Sequence, residues 1–259
     1  MIYLTGDVHG KIAGHWEQKN AGSEIDAAVR YLEILKKYKI VCTLFINGKC
    51  LDENKKEVRE LMEYDVELGG HTYDNFGRMN IFKSYINRKF FGCVYGGFDF
   101  QERDIMKTKI AFDKFGLKMK CWRTHAFASN NDTFRILAKN EVKYVSDLIG
   151  DRKPFEKNGI IHIPINIPVD NLVMEFGILK PENRDPFASC TKGRIKAEEW
   201  FDIIKKRVVE NEKNGTDSIL LIHPISMKVL DNFKLFEEIA KFLSKYESSK
   251  VIEFEAGIN

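Results

Sequence analysis

Short apolar runs alternate with longer amphipathic runs along this chain, and that alternation constrains its fold more than any other feature. Residues 40–46 (IVCTLFI) and 218–222 (SILLI) are nearly continuous apolar runs, as strands buried on both faces of a parallel sheet are. Residues 23–39 instead place apolar side chains at helical spacing. Repeated strand–helix units form parallel sheets covered by helices, so the sequence predicts an α/β fold, either a doubly wound sheet or a barrel.

The same pattern assigns elements to most of the chain. It predicts strands at 2–5, 40–46, 66–68, 119–123, 142–146, 160–167, 218–222 and 251–254. It predicts helices at 23–39, 53–64, 103–115, 132–140, 198–212 and 231–246. Residues 76–100 depart from this pattern because they are crowded with aromatic residues and glycine. We interpret them as an apolar cluster that covers one edge of the sheet, with a lid or binding wall as the alternative.

The charge balance and the apolar runs exclude several classes of partner and location. The 259 residues include 41 Lys and Arg against 38 Asp and Glu, and a net charge of +3 is too balanced for a nucleic-acid-binding surface. No apolar stretch approaches the roughly 20 residues that cross a bilayer, and residues 1–11 do not resemble a signal peptide. The sequence therefore predicts a cytoplasmic protein with one domain over residues 1–259, no membrane span and no nucleic-acid partner.

The cysteines indicate buried thiols. Their number, five, is odd, and no C-x-x-C pair occurs, so neither a disulfide framework nor a zinc knuckle is expected. Cys42 and Cys121 lie in apolar runs, where an unpaired cysteine acts as a small hydrophobic residue. We predict that both are buried.

Polar residues capable of catalysis or metal binding follow the predicted strands. The carboxyl ends of parallel strands share one face, which carries the active site in folds of this kind. The residues that we expect at this face are Asp7, His9, His71, Asp74, Asn75, Arg123, His125, Asp147 and His223. Of these, His125 is predicted to be incidental to the chemistry. His15 and His162 belong to no such group, and we predict structural roles for both.

The stretch GDVHG at residues 6–10 raises one alternative, because two-metal phosphoesterases begin with G-D-x-H-G. Such a site holds two cations about 4 Å apart and needs further ligands, in G-D-x-x-D-R, G-N-H-[DE] and G-H-x-H motifs. None of these follows, and the nearest stretch, residues 69–72 (GGHT), lacks the asparagine. A single short motif is a weak signal, so a phosphoesterase is the less favoured interpretation.

Several stretches match a different family in order and spacing. They are LTGDVH, CTLFING, GGHTYDN, CWRTHAFASNNDTFRIL, VKYVSD and SILLIHP. In these stretches, from Tyr3 to about Leu243, the chain resembles the polysaccharide deacetylase superfamily, the NodB-homology carbohydrate esterases. The resemblance implies an irregular parallel (β/α) barrel with about seven strands.

The resemblance also implies the catalytic groups. The Asp that ends the family's first motif is the base, which implies Asp7 in that role. The Arg of the R-x-P-[YF] motif orients this base and is matched by Arg123, although the residues after it differ from the motif. The histidine of the last motif is the general acid and is matched by His223. Asp147 is the carboxylate that we expect to support His223.

The implied metal site is altered in this sequence. The carboxylate ligand that usually follows the base is replaced by Val8, and His9 is the residue that can take its place. The family's H-[ST]-x-x-H motif supplies two imidazoles, and here His71 matches the first while Asn75 stands at the second. We therefore expect one divalent ion, Zn²⁺ by preference, on His9, His71 and Asn75, with Asp74 as an alternative to Asn75.

The activity implied by the resemblance is metal-assisted removal of an acetyl group from an N-acetylated sugar or a related amide. A cytoplasmic member is expected to act on a small saccharide or a glycan precursor. Because Val8 and Asn75 depart from the family pattern, two alternatives stay open. One is a hydrolase that works without the usual metal. The other is a catalytically inactive barrel that binds a saccharide or a partner.

Overall fold

The sheet is built from short apolar strands. In a computed structural model that describes residues 1–11, 16–76, 81–174 and 195–255, all strands belong to one sheet with the order β6-β7-β5-β4-β3-β2-β1-β8. Every neighbouring pair is parallel except β6 and β7. The strands are β1 (Ile2–Val8), β2 (Cys42–Ile46), β3 (Val66–Gly70), β4 (Cys121–Trp122), β5 (Tyr144–Val145), β6 (Phe155–Lys157), β7 (Ile160–His162) and β8 (Ser218–Leu221). The α/β barrel-like fold with about seven parallel strands is confirmed, and β6 adds one antiparallel edge strand.

The curled sheet brings its two sides together at Asn166. The backbone N–H of Asn166 donates to the carbonyl of Ile219 in β8 at 3.2 Å, and its side-chain oxygen accepts from the N–H of Ile219 at 2.9 Å. Ile165, one residue earlier, still donates to the carbonyl of Leu148 after β5. Within the described residues, β7 and β8 do not pair as strands, so these contacts of Asn166 bridge the gap of an irregular barrel.

Helices follow most of the strands. They are α1 (Trp16–Ala21), α2 (Glu24–Lys37), α3 (Gly48–Glu53), α4 (Lys55–Leu61), α5 (Ile81–Phe91), α6 (Phe98–Asp113), α7 (Asn131–Lys139), α8 (Asp170–Val173), α9 (Ala197–Lys213), α10 (Pro224–Asp231) and α11 (Lys234–Leu243). Ser23 caps α2 by accepting from the N–H of Asp26, which satisfies one of the free amides of the first turn. Within the described residues, no helix is both long enough and apolar enough to cross a membrane.

Three predicted elements differ in the structure. The helix predicted at 231–246 begins only at Lys234, because Asn232 and Phe233 adopt left-handed backbone between α11 and the preceding α10. The strand predicted at 251–254 is a short 3-10 helix, Val251–Glu253, in which Glu253 accepts from the N–H of Lys250. Much of 76–100 is helical, since α5 and the start of α6 fall inside it.

Burial of the thiols follows the prediction. Cys42 is 1% exposed and Cys121 is 0% exposed, and both are free cysteines within the core of the sheet. Burial raises the pKa of the Cys42 thiol above its usual range, so it does not ionise at neutral pH. These cysteines pack as small hydrophobic residues. His15, for which the sequence also predicts a structural role, lies outside the described residues.

His162 in β7 is a buried imidazole without a hydrogen bond. Its ring stacks on Phe155 at 4.7 Å between centroids and meets Phe134 edge-on at 4.8 Å. Neither ring nitrogen has a hydrogen-bond partner among the described residues. Burial, followed by the charge of Lys157, lowers the pKa of His162 below its usual value. This is the structural histidine that the sequence predicts, held neutral in the sheet.

We expect His162→Leu to raise stability relative to wild type by a larger margin at pH 5 than at pH 8. Below an unfolded-state pKa of about 6.5, the unfolded chain binds a proton that the folded chain does not, so wild type loses stability as the pH falls. The difference between the two margins should be about 1 kcal/mol in urea unfolding monitored by circular dichroism. Equal margins at both pH values would contradict a neutral buried His162.

Candidate metal centre and catalytic groups

Three imidazoles converge where β1, β3 and β4 end. His9 follows β1, His71 follows β3, and His125 lies in a short 3-10 turn after β4. The Nε2 atom of His9 lies 3.1 Å from Nε2 of His71 and 3.1 Å from Nδ1 of His125, and the last two atoms are 3.4 Å apart. Among the described residues, this is the group of histidine, cysteine and acidic side chains whose geometry suits a metal ion.

Hydrogen bonds on the far side of two rings orient their free nitrogens. Nδ1 of His71 lies 2.8 Å from the carbonyl oxygen of Arg123, and because a carbonyl only accepts, Nδ1 carries the hydrogen. Nδ1 of His9 lies 2.8 Å from Oε2 of Glu24, a buried carboxylate that also accepts from the N–H of His9. Both Nε2 atoms therefore direct lone pairs at one point, an arrangement that carboxylate–histidine–metal sites share.

The donor set fits a divalent ion such as Zn²⁺. A tetrahedral Zn²⁺ with Zn–N bonds of about 2.0–2.1 Å separates its ligand nitrogens by about 3.3–3.4 Å. The three separations here lie at or slightly below that value. Three protein ligands leave a fourth position open, as in catalytic zinc sites.

The protonation of these rings depends on what each faces. Burial lowers the pKa of His71 to about 3, so its Nε2 lone pair is available at any ordinary pH. Burial also lowers the pKa of His9, but the charge and hydrogen bond of Glu24 outweigh it and raise the pKa above the usual value. Binding of a metal at His9 therefore displaces a proton, and the affinity for metal should increase with pH.

The amide and carboxylate named by the sequence face other groups. Oδ1 of Asn75 accepts from Nδ2 of Asn47 at 3.1 Å, and the same amide nitrogen donates to the carbonyl of His71. Asp74 pairs with Lys49 at 3.1 Å. The third ring nitrogen of the cluster belongs instead to His125, which the sequence treated as incidental. An imidazole is the better ligand for a borderline metal, so the structure offers three nitrogens where two and an amide were expected.

Asp7 is held by a buried arginine. The guanidinium of Arg123 donates to Oδ1 of Asp7 at 2.8 Å, to the hydroxyl of Thr5 at 2.9 Å, and to both the carbonyl and the hydroxyl of Ser146 at 2.9 Å. Its plane also lies 4.3 Å from the ring centroid of Phe45. Asp7 and Arg123 thus form a buried, hydrogen-bonded ion pair, as the family resemblance implies.

His223 is paired with Asp170 rather than with Asp147. Nδ1 of His223 lies 2.6 Å from Oδ1 of Asp170, and the N–H of His223 donates to the other oxygen at 2.7 Å. Asp147 instead accepts from the N–H and the hydroxyl of Thr124, both at 2.6 Å. The expected support by Asp147 is therefore corrected: this carboxylate anchors the backbone between Arg123 and His125.

The base and acid assigned to Asp7 and His223 lie side by side with opposed pKa shifts. Oδ2 of Asp7 is 3.7 Å from Nε2 of His223 and 3.7 Å from Nε2 of His71. Burial alone would raise the pKa of Asp7, but the charges of Arg123 and His223 hold it well below its usual range. Burial alone would lower the pKa of His223, but Asp170 raises it to about 9. At neutral pH the carboxylate is ionised and the imidazole is protonated.

Two consecutive glycines let the strand before His71 approach β4. A Cβ at Gly70 would lie 2.5 Å from the Trp122 ring, and one at Gly69 would lie 2.6 Å from Sγ of Cys121. The N–H of Arg123 donates to the carbonyl of Gly70 at 2.9 Å. The close approach places His71 beside Arg123, and any larger residue at either glycine would separate them.

The loops that carry His71 and His125 contain left-handed backbone at residues other than glycine. These residues are Thr72 (φ 63°), Asn75 (φ 46°), Phe76 (φ 68°), Ala126 (φ 53°) and Phe127 (φ 53°). Each such residue costs about 1–3 kcal/mol and persists only where surrounding contacts impose it. Strain of this kind gathers at functional sites, and here it gathers on two of the three loops that hold the imidazoles.

A cavity of about 600 Å³ opens beside the imidazole cluster. Its walls include Asn75, Phe76, Arg88 of α5, His125, Phe127 and Ser129. His125 therefore belongs both to the cluster and to this cavity. A cavity of this size holds a small ligand within reach of the cluster.

Sequence reasoning missed Glu24 and Asp170. Asp170 follows the apolar run 160–167, so the strand-end rule that selected the other polar residues could have selected it too. Glu24 lies in the first turn of α2, where an acidic residue is ordinarily a favourable partner of the helix dipole. No spacing in the sequence distinguishes it from that common role.

Metal analysis distinguishes a site formed by His9, His71 and His125 from one formed by His9, His71 and Asn75. We expect about one zinc-like ion per chain in wild type, and its loss in His9→Ala, His71→Ala and His125→Ala, because each removes one converging nitrogen. Asn75→Ala is the matched control and should keep the ion. Retention in His125→Ala with loss in Asn75→Ala would favour the amide as the third ligand.

Titration of His223 shows whether Asp170 or Asp147 is its carboxylate partner. In Asp170→Asn the pKa of His223, about 9 in wild type, should fall by at least about one unit, since the ion pair is lost. Asp147→Asn should leave it unchanged. Histidine resonances followed by NMR across pH 5–10 give both values, with His223→Gln used for assignment. A shift only in Asp147→Asn would contradict the pairing described above.

Comparison with known proteins finds the same fold in several solved structures. The polysaccharide deacetylase family model matches residues 21–90. No curated protein matches the sequence significantly. The fold is shared with a candidate polysaccharide deacetylase from Mycobacterium smegmatis at 14% identity and a TM-score of 0.71, covering 96% of this chain and 86% of that one.

Two further structures show the range of the fold. A family 4 acetyl xylan esterase from Clostridium thermocellum, solved with a cobalt ion, shares 16% identity at a TM-score of 0.51 over 97% of this chain and 88% of that one. A family 4 carbohydrate-esterase pseudoenzyme from Bacillus anthracis shares 15% identity at a TM-score of 0.53 over 98% and 64%. The chain thus shares the fold of solved polysaccharide deacetylases and matches the family model over residues 21–90.

Proposed function

We propose that the protein is a metal-assisted hydrolase that removes an acetyl group from an N-acetylated sugar or a related amide. The observation that carries this proposal is the juxtaposition of an ionised Asp7 and a protonated His223, 3.7 Å apart, beside the three converging imidazoles. Amide hydrolysis needs one base, one acid and an electrophile for the carbonyl oxygen. The family match and the shared fold support an acetylated carbohydrate as the substrate class.

The imidazoles of His9, His71 and His125 would hold the ion. When bound, a divalent cation polarises an amide carbonyl and makes a water molecule more acidic. Glu24 and the carbonyl of Arg123 hold two of the three rings in the tautomer that such binding requires.

Asp7 would accept the proton of the attacking water at Oδ2. Its other oxygen is already occupied by Arg123, so Oδ2 is the oxygen that faces His71 and His223. The low pKa keeps Asp7 ionised at neutral pH, and Arg123 holds it in one orientation. Transfer of the proton to Oδ2 leaves Oδ1 bound to the guanidinium.

His223 would donate a proton from Nε2 to the departing nitrogen. With a pKa raised to about 9, it is charged at neutral pH, and Asp170 keeps the other ring nitrogen protonated. Water and the amide thereby become acetic acid and the amine. The proton that Asp7 took from the water would then pass to Nε2 of His223, 3.7 Å from Oδ2, which restores the ionised carboxylate and the protonated imidazole.

A second candidate function is a saccharide-binding barrel without turnover. It is favoured by Val8, which stands where a family member carries a metal-binding carboxylate, and by the likeness to the Bacillus anthracis pseudoenzyme. The three converging imidazoles favour the hydrolase, because a binding module has no need for them.

Acetate release from N-acetylglucosamine oligomers tests the proposal. We expect turnover with Zn²⁺ or Co²⁺, and a loss of at least about 10²-fold in kcat for Asp7→Asn and His223→Gln, since each removes one proton-transfer group. His162→Leu is the control, because it changes a buried imidazole outside the site. In Asp170→Asn, the alkaline limb of kcat/KM, expected near pH 9 in wild type, should move to lower pH.

Two outcomes would overturn the hydrolase. One is wild-type turnover that His223→Gln leaves unchanged. The other is saturable binding of the oligomers, by calorimetry, without acetate release from the metal-loaded protein, which would support the binding barrel.

A further inference from the structure

Helix α5 presents large apolar side chains to solvent. Phe82, Tyr85, Phe90 and Phe91 are 72%, 62%, 70% and 47% exposed. Among the described residues, these are all of the exposed aromatic side chains in the protein. Isolated exposed apolar residues are common, but several large rings on one short helix mark an interaction surface.

One side of α5 is fixed to the rest of the protein. Asn87 is buried, and its amide donates to the carbonyl of Val94 at 2.9 Å. Phe91 packs over Gly97, where an added Cβ would lie 2.8 Å from its ring. The helix is therefore held by this side, and its other side is open to solvent.

The open side of α5 has the residue spacing of a helix face that packs on another helix. Phe82, Tyr85, Ile86, Lys89 and Phe90 stand at positions i, i+3, i+4, i+7 and i+8, which share one stripe along a helix. At 100° per residue this stripe spans an arc of about 140°. The ammonium of Lys89 lies 5.9 Å from the centre of the Phe90 ring, so its apolar stem can cover part of the stripe. We call the four apolar residues of this stripe the α5 face.

The charges near the α5 face are of both signs and do not select its partner. The ammonium of Lys83 lies 5.3 Å from the centre of an aromatic ring of α6 in the same chain. Arg88 and Lys89 are basic, whereas the acidic Asp132 lies near Cys93, just beyond the helix. The apolar stripe, rather than a charge of one sign, therefore determines what can cover this surface.

A second copy of the chain offers a matching surface. Buried aromatic side chains contribute about 150–250 Å² each, so the exposed parts of Phe82, Tyr85 and Phe90 amount to about 400 Å² on one copy. Two such faces, with the side chains between the rings, would bury about 1,000 Å² in all, which is where specific interfaces begin. Within the described residues the exposed rings are confined to α5, so a two-fold pairing places α5 against α5.

A glycan fits the α5 face less well. A sugar ring needs side chains that bond its hydroxyl groups beside the aromatic rings on which it stacks. Among the described side chains of α5, the amide that could serve, Asn87, is buried and already bonded to Val94.

We propose that two copies of the protein associate through their α5 faces. Arg88 of α5 and Gly92, just after it, line the cavity beside His125, so the partner copy would border that cavity. This inference does not rest on the proposed function, because association needs neither a bound metal nor turnover.

Sedimentation equilibrium of the whole chain tests the association. Wild type should show a monomer–dimer equilibrium with a dissociation constant in the micromolar range, because the buried area is at the low end for specific interfaces. High salt should leave the dimer intact, since an apolar contact is not screened by ions as a contact between charges is.

Substitutions on the α5 face should dissolve the dimer. A triple variant, Phe82→Ser with Tyr85→Ser and Phe90→Ser, should weaken association at least about a hundredfold, since a few large side chains carry most of the affinity of an interface. Tyr85→Arg alone is a milder second variant, and it should also weaken association because it brings a charge into the apolar contact.

The matched control replaces exposed apolar residues elsewhere. Met106→Ser, Ile110→Ser and Val209→Ser change side chains that are 39%, 49% and 37% exposed on α6 and α9, and this variant should associate as wild type does. Circular dichroism of each variant checks that it is folded.

Several results would overturn the proposal. They are a wild-type monomer at concentrations far above the micromolar range, a dimer that both α5-face variants leave intact, and equal loss in the control variant. A monomer that binds phosphatidylglycerol vesicles or insoluble chitin through the same rings would assign the face to a membrane or to a glycan instead. None of these measurements involves acetate release, so failure here leaves the proposed hydrolase standing.

Discussion

The buried guanidinium of Arg123 is the interaction on which the site depends. Its side chain joins Asp7 and Thr5 of β1 to Ser146, just after β5, and the hydroxyl of Thr5 donates onward to the carbonyl of Leu220 in β8 at 2.6 Å. Its backbone carbonyl orients His71. One residue therefore ties together strands from both sides of the curled sheet. Removing one partner of a buried pair of this kind costs about 3–5 kcal/mol, because a charge is left uncompensated.

Two imidazoles at equal distance from Asp7 have pKa values shifted in opposite directions. His71 and His223 are both buried, and each places Nε2 3.7 Å from Oδ2 of Asp7. The pKa of His71 falls to about 3 through burial, whereas that of His223 rises to about 9. The difference lies in what faces the other ring nitrogen: a carbonyl oxygen for His71 and the carboxylate of Asp170 for His223. The partner on the far side of the ring thus leaves one histidine neutral and the other protonated at neutral pH.

The sequence predicts much of this architecture because its signals are local. The apolar runs locate the strands, and the rule that active residues follow strand ends selects Asp7, His71, Arg123 and His223. Such a rule places residues on a face but does not say which side chains meet across it. Asp147 and Asp170 both follow strands, and only the fold shows that the second reaches His223.

Because the sequence does not show which side chains meet across this face, it gives no sign that His125 joins His9 and His71. Its position after Arg123 is occupied by proline in the family motif, so comparison of motifs gives it no role. In the structure Ala126 and Phe127 turn the chain in the left-handed region directly after His125. Thr124, held by Asp147, fixes the chain before it. These contacts are formed between distant segments, and no local pattern in the sequence encodes them.

The position of His125 in the imidazole cluster has a consequence for how divergent family members are classed as active or inactive. Comparison of the sequence with the family motifs finds a valine at position 8 and an asparagine at position 75, where the motifs have metal ligands. On that basis alone the chain would be classed with the inactive members. The binding of a cation depends on how many donor atoms converge and on the distances between them. Counted that way the chain has three imidazole donors, drawn from three different loops. Alignment of residue types alone can therefore class a protein as inactive although it still has three donor nitrogens, supplied from other positions.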